Sequence, residues 1–263
     1  MPSPSVIILR APGTNCDVET AYAFEQAGGK AELVHVNRLL EDASLVPKYQ
    51  ILCIPGGFSY GDDVAAGRIL ASQIQHHLAD VIAEFKAAGK LILGICNGFQ
   101  VLLKAGVLLD PDGNSGPAAT LTYNDSGKFE DRWVRLHVSR SNCVFLEGIE
   151  AMDLPVAHAE GKFVARDDET LSGLQAAGQL LLRYGRLQED DGDPIGPVPY
   201  PDNPNGSMGD TAGVCDTTGR VLGLMPHPER HIDPTHHPRW TRGEARDPGD
   251  GLKLFQNAVR YFG

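Results

Sequence analysis

No apolar run in the 263 residues approaches the ~18 positions that a membrane-spanning helix needs, so no membrane span is expected. Positive charge is scarce: 23 basic residues stand against 34 acidic ones, a net charge of −11. Nucleic acid and anionic membranes both attract basic surfaces, so neither is expected as the main partner. The opening "MPSPSVIILRAPG" lacks a basic start, a long apolar segment and a small-residue cleavage site. It reads as a first strand, not a signal peptide. Cysteine is also sparse: Cys16, Cys53, Cys96, Cys143 and Cys215 are scattered, odd in number, and form no C-x-x-C pair. That pattern predicts neither a disulfide framework nor a metal site, and a reducing cytoplasm suits it best.

What is present is an alternation. "VIILR", "AELVHV", "QILCIPGG" and "KLILGIC" read as strands. Between them, "CDVETAYAFEQAGG" and "VAAGRILASQIQHHLADVIAEFKAAG" have helical spacing closed by glycine, the second broken once. Strands separated by helix-length segments predict right-handed crossovers and a parallel sheet covered on both faces. Beyond residue 110, "AATLTY" and "RWVRLHV" suggest an antiparallel or mixed extension of that sheet, with "LLLRYG" as another strand. "AGVCDTTGRVLGLMPH" reads as a hairpin around Thr218-Gly219. Residues 192–207 and 231–250 read as loops, and "GLKLFQNAVRYF" as a closing helix. Strands of one sheet lie on both sides of these loops, so one domain, 1–263, is expected.

The chemistry centres on "LILGICNGFQ". Gly94 and Gly98 stand two residues on either side of Cys96, where a strand runs directly into a helix. This is the spacing of a nucleophile elbow, with Cys where hydrolases carry Ser. The helix amino end favours a thiolate, and the Asn97 N–H is a candidate oxyanion donor. A buried structural cysteine is the competing interpretation, and it suits Cys53, Cys143 and Cys215.

A nucleophile needs a base and an orienter. Among nine histidines, His227 in "GLMPHPER" stands out. Pro226 and Pro228 exclude helix there. In an extended chain, His227 and Glu229 point the same way, about 6.5–7 Å apart at the backbone. Glu229 then fixes the His227 tautomer; the competing view is a surface His-Pro turn. Gly56 and Gly57, in "CIPGGFSYGDD", lie at another strand end and could bring backbone N–H groups to a substrate carbonyl. The segment lacks the order of a phosphate-binding loop, so no nucleotide is expected there.

With these residues in hand, the sequence resembles the class I, or triad, glutamine amidotransferases. "PGTNCD", "GGFSYGDD", "GICNGFQ", "AHAEGKF", "NGS" and "MPHPER" narrow the likeness to the glutaminase component of phosphoribosylformylglycinamidine synthase. The resemblance implies a flavodoxin-like α/β fold, with Cys96 as nucleophile, His227 as general base and acid, and Glu229 as orienter. It further implies that Gly56, Gly57, Phe58, Asn97, Gly98 and Gln100 form the oxyanion and substrate region, with His158 and Glu160 near the pocket. Glutamine would be the substrate and no cofactor would bind this chain, ATP and Mg belonging to a synthetase subunit. A small third subunit is a further possible partner. Two other readings remain: a cysteine hydrolase acting on γ-glutamyl or other peptides, and a non-catalytic interaction module. Asn97 argues against the peptidases of this fold, which often place His there. Three filled triad positions argue against the module.

Overall fold

A computed structural model describes residues 3–109, 116–139, 142–186, 197–243 and 246–263. Strand β1 (Ser5–Arg10) leads through helix α1 (Asp17–Gln26) to β2 (Lys30–His35). Helix α2 (Val36–Glu41) precedes β3 (Ile51–Ile54). The long helical segment divides into α3 (Arg68–Gln73) and α4 (Ala79–Ala87), and the expected break is a π-turn at Ile74–Leu78. Then β4 (Leu91–Ile95) runs into α5 (Asn97–Lys104) with Cys96 alone between them. Strand β3 is buried throughout, and β4 likewise, because each lies between two neighbours in the sheet.

The second half supplies β5 (Ala119–Thr122), β6 (Glu130–Val138), β7 (Ala151–His158), β8 (Lys162–Ala165), α6 (Asp168–Ala176) and β9 (Leu182–Gly185). It ends with β10 (Thr211–Cys215), β11 (Val221–Leu224) and α7 (Leu252–Arg260). Nine strands form one sheet in the order β2-β1-β3-β4-β11-β10-β9-β6-β7. The first five are mutually parallel; the other pairings are antiparallel. The order 2-1-3-4-11 is the flavodoxin-like winding, whose strand carboxyl ends form a ligand crevice. Helix α1 packs on α7, with Phe24 and Phe255 edge to face at 4.9 Å, while α5 packs on α3 and β5.

The segment "AATLTY" departs from expectation: β5 pairs with β8 in a separate two-stranded sheet. Both edges of β6 are already taken, by β7 and β9, so the main sheet offers β5 no place beside it. Strand β6 meets β9 only through Arg135–Val138. The remaining length of the β6–β7 hairpin therefore overhangs the sheet. The hairpin at Thr218-Gly219 forms as read, between β10 and β11. Of the loop read at 192–207, residues 192–196 lie outside the described residues. Across 231–250, short 3-10 turns at Pro234–His236 and Trp240–Arg242 interrupt the loop. It docks on the overhang through Trp133, whose ring meets His231 at 4.9 Å and His237 at 4.8 Å. Among the described residues no helix is long and apolar enough to cross a membrane.

Candidate active site

Four neighbouring parallel strands end at one place. Beyond β1 comes Cys16, beyond β3 the Gly56-Gly57 pair, beyond β4 Cys96, and beyond β11 His227. The elbow is strained: Cys96 has φ 51° and ψ −105°, a conformation costly for any residue but glycine. Its neighbours explain the spacing. A Cβ on Gly98 would lie 1.8 Å from the Ile54 carbonyl oxygen, and one on Gly94 would lie 2.7 Å from that of Gly98. Only glycines let α5 turn back this closely over β3 and β4. The Cys96 N–H donates to the Leu224 carbonyl at 2.8 Å, tying the elbow to β11.

His227 and Glu229 meet as read: Nδ1 lies 2.6 Å from Oε1, with both side chains buried. The route to that contact differs from the extended chain expected. His227 is extended, but Glu229 sits in a 3-10 turn over Pro228–Arg230, which Pro228 opens. Proline at the first position of a turn loses no hydrogen bond, so it nucleates this one where it would break a longer helix. Burial opposes a charge on His227. Only together do the Glu229 carboxylate and the Cys96 and Cys16 thiols outweigh it, and they raise the pKa well above the usual imidazole range. The charged imidazolium is the state this environment favours.

The remaining expected residues surround Cys96. Asn97 does not point into the open: its Nδ2 donates to Asp62 at 3.0 Å and to Gln100 Oε1 at 2.9 Å, and its Oδ1 accepts from the Ser59 N–H. Gln100 Nε2 in turn donates to the Glu160 carbonyl at 2.7 Å. These two amides thus staple the β3 loop and the β7 end around the elbow. Gly57, at φ 133°, lines the same cavity as Cys96, and Phe58 is half exposed at the rim. His158 is buried, with Nδ1 3.1 Å from Asn124 Oδ1 and Nε2 unpartnered. Burial, and then the nearby His227 charge, push its pKa down to about 3, so the ring is neutral. The "NGS" motif supports this wall: Asn205 Nδ2 donates to the Gly161 carbonyl and Ser207 Oγ accepts from the Phe163 N–H.

Two small cavities meet at Cys96. One, of about 40 Å³, is lined by Gln100, Asp62, His158 and Glu160; the other, of about 110 Å³, by Cys16, Phe129, His227 and Arg230. Gly57, Phe58 and Ala157 border both. A wider concavity of about 750 Å³ beside α7 is lined, among the described residues, by no histidine. Sequence reasoning did not single out Asp62, Cys16 or Arg230. Their signals were membership of "PGTNCD", "GGFSYGDD" and "MPHPER" and position, since each follows the carboxyl end of a parallel strand.

Such a set, a strained thiol facing a buried imidazole–carboxylate pair, suits nucleophilic acyl transfer. Residues 3–262 match the CobB/CobQ-like glutamine amidotransferase domain. The chain belongs to that family. The amidotransferase is 46% identical over 262 residues to the PurQ subunit of phosphoribosylformylglycinamidine synthase from Dehalococcoides mccartyi, covering 99% of this chain and 98% of the relative. It is 40% identical over 270 residues to the PurQ subunit from Methanococcus maripaludis, covering 98% and 97%. Its fold overlays a chain in the structure of PurLQS from Thermotoga maritima with TM-score 0.72, 31% identity and full coverage of both chains.

Proposed function

We propose that this chain is the glutaminase subunit of phosphoribosylformylglycinamidine synthase. The observation that carries this reading is the Cys96 elbow facing the His227–Glu229 pair, in a chain matched over 99% of its length to a PurQ subunit. The Cys96 thiolate attacks the side-chain amide carbon of glutamine, and the Gly57 and Asn97 N–H groups hold the resulting oxyanion. One such donor is typically worth ~3–4 kcal/mol in the transition state. The His227 imidazolium gives its proton to the departing nitrogen, so ammonia leaves and a γ-glutamyl thioester remains. Neutral His227 then takes a proton from water, whose oxygen attacks the thioester; the thiolate departs and glutamate is released.

Glu229 holds the imidazole in register through both stages. Gln100, Asn97, His158 and Glu160 shape the wall against which the rest of the substrate lies. The ammonia passes to an ATP-dependent synthetase subunit, where formylglycinamide ribonucleotide becomes its amidine. Free ammonia is mostly protonated at neutral pH and then non-nucleophilic, so handover within a complex with that subunit, and with a small third subunit, fits the chemistry. The family match spans residues 3–262, which supports one domain. ATP and Mg belong to the synthetase, and this chain works without a cofactor of its own. Five free thiols suit a cytoplasmic setting.

The deciding experiment is intact-mass analysis after treatment with an electrophilic glutamine analogue. One adduct is expected, blocked by excess glutamine and lost in Cys96→Ser. Absence of the adduct, with and without the synthetase subunits, would remove the reading in favour of a peptide-directed cysteine hydrolase.

A further inference from the structure

The proposed reaction leaves two buried features unused. Cys16 is nearly inaccessible, yet its thiol faces the same imidazole as Cys96 and lines the same cavity of about 110 Å³. Glu229 spends Oε1 on His227 Nδ1, while its Oε2 is buried without a hydrogen-bond partner. A ligand atom from each of Cys16, His227 and Glu229 lies within 4.8 Å of the other two. Gly56 keeps the cluster tight: a Cβ there would come within 2.8 Å of His227 Cε1 and 3.1 Å of Cys16 Sγ.

Thiolate, imidazole and carboxylate are the ligand types that zinc takes. At bond lengths of about 2.0–2.3 Å, ligand atoms around tetrahedral zinc stand roughly 3.5 Å apart, so modest side-chain movement closes this set around an ion. Ionised Cys16 and Glu229 supply two negative charges, matching a divalent cation. Arg230 lies 3.2 Å from Cys16 Sγ, but it also pairs with Glu19 at 2.9 Å and is a third exposed. It has both an alternative partner and room to withdraw. Sequence spacing gave no hint of this, because strands β1 and β11 bring together residues far apart in the chain.

We propose that Cys16, His227 and Glu229 form a binding site for one thiophilic divalent cation, Zn²⁺, whose occupation silences the Cys96 nucleophile by taking its base. This goes beyond the glutaminase reading and is tested without turnover.

The full chain is titrated with Co²⁺ as a spectroscopic probe, reduced and free of chelator, and Zn²⁺ is then added in competition. Expected is one equivalent with a sulfur-to-cobalt charge-transfer band. Cys16→Ala should lose that band and weaken Zn²⁺ binding by at least about 100-fold. Cys96→Ala should keep the band, since Cys16 supplies the sulfur. Cys16→Ser, closer in shape, guards against a folding defect and should also lose it. A band that survives both Cys16 variants, one that disappears in Cys96→Ala, or no band in the wild type would overturn the proposal. Zn²⁺ should also slow labelling of Cys96 by the glutamine analogue in the wild type and not in Cys16→Ala. If the glutaminase reading alone were wrong, labelling would fail while the cobalt band remained.

Discussion

In the parallel half of the sheet, β1, β3, β4 and β11 each end in a short segment that delivers one component: a second thiol, a glycine pair, the nucleophile, and the base with its carboxylate. The antiparallel half is built differently. Strands β6 and β7 deliver their contribution sideways, by overhanging the sheet until Pro155 accepts the His227 N–H and the Ala157 carbonyl lies 3.8 Å from Cys96 Sγ. The reactive groups thus sit on rigid, doubly flanked strands, whereas the wall over them comes from a hairpin at the end of the sheet. Chemistry needs fixed angles; a substrate wall needs reach.

That division can be broken from either side. Gly98→Ala strikes the rigid half hardest, because its Cβ would collide with the Ile54 carbonyl at 1.8 Å. A loss of about 3 kcal/mol or more is expected in denaturant unfolding; an unchanged midpoint would mean that the elbow has slack. Glu229→Gln leaves the shape and removes the charge, and about a 100-fold fall in glutamine hydrolysis by the assembled synthase is expected. It should also move the alkaline limb of the pH profile to lower pH. Glu229 raises the His227 pKa, so without its charge the imidazolium loses its proton sooner.

His158 tests the wall. Its folded pKa, about 3, lies below the unfolded value near 6.5. The unfolded chain therefore takes up the proton first, and stability is lost as pH falls from 6.5 towards 3. The expected slope from this residue is about 1.4 kcal/mol per pH unit, and acid unfolding of His158→Asn should lack it; equal slopes would place His158 in solvent. The smallest effect is expected at the outer side of the overhang. Trp133→Leu removes the two edge-to-face contacts with His231 and His237, at about 1 kcal/mol. Trypsin should then cut faster at Arg239 and Arg242; an unaltered cleavage rate would show that the loop docks by other means.

The same division governs what could be read in advance. The parallel block declares itself through buried runs ended by glycine, and the elbow through its two flanking glycines. The hairpin did so only in "RWVRLHV", which forms most of β6. Strand β7 alternates faithfully, burying Met152, Leu154, Val156 and His158, but Pro155 in its middle argues against a strand. It is tolerated because β7 is the last strand at the sheet edge. Strand β8 has four residues, too few for periodicity to speak, and was visible only as part of "AHAEGKF". The hydrogen bonds of Asn97 and Gln100 depend on where the β3 loop and β7 come to rest, which no local pattern records.

Strand β11 is the last strand in the chain, yet it lies between β4 and β10 near the middle of the sheet. During synthesis the Cys96 segment emerges long before the strand that will carry its base, and β4 lacks a neighbour on that side until β11 arrives. Closing the sheet is thus a long-range, slow event, and it is the same event that arms the thiol. A nascent or partly folded chain carries a cysteine with no histidine beside it, so reactivity is withheld until the architecture is complete.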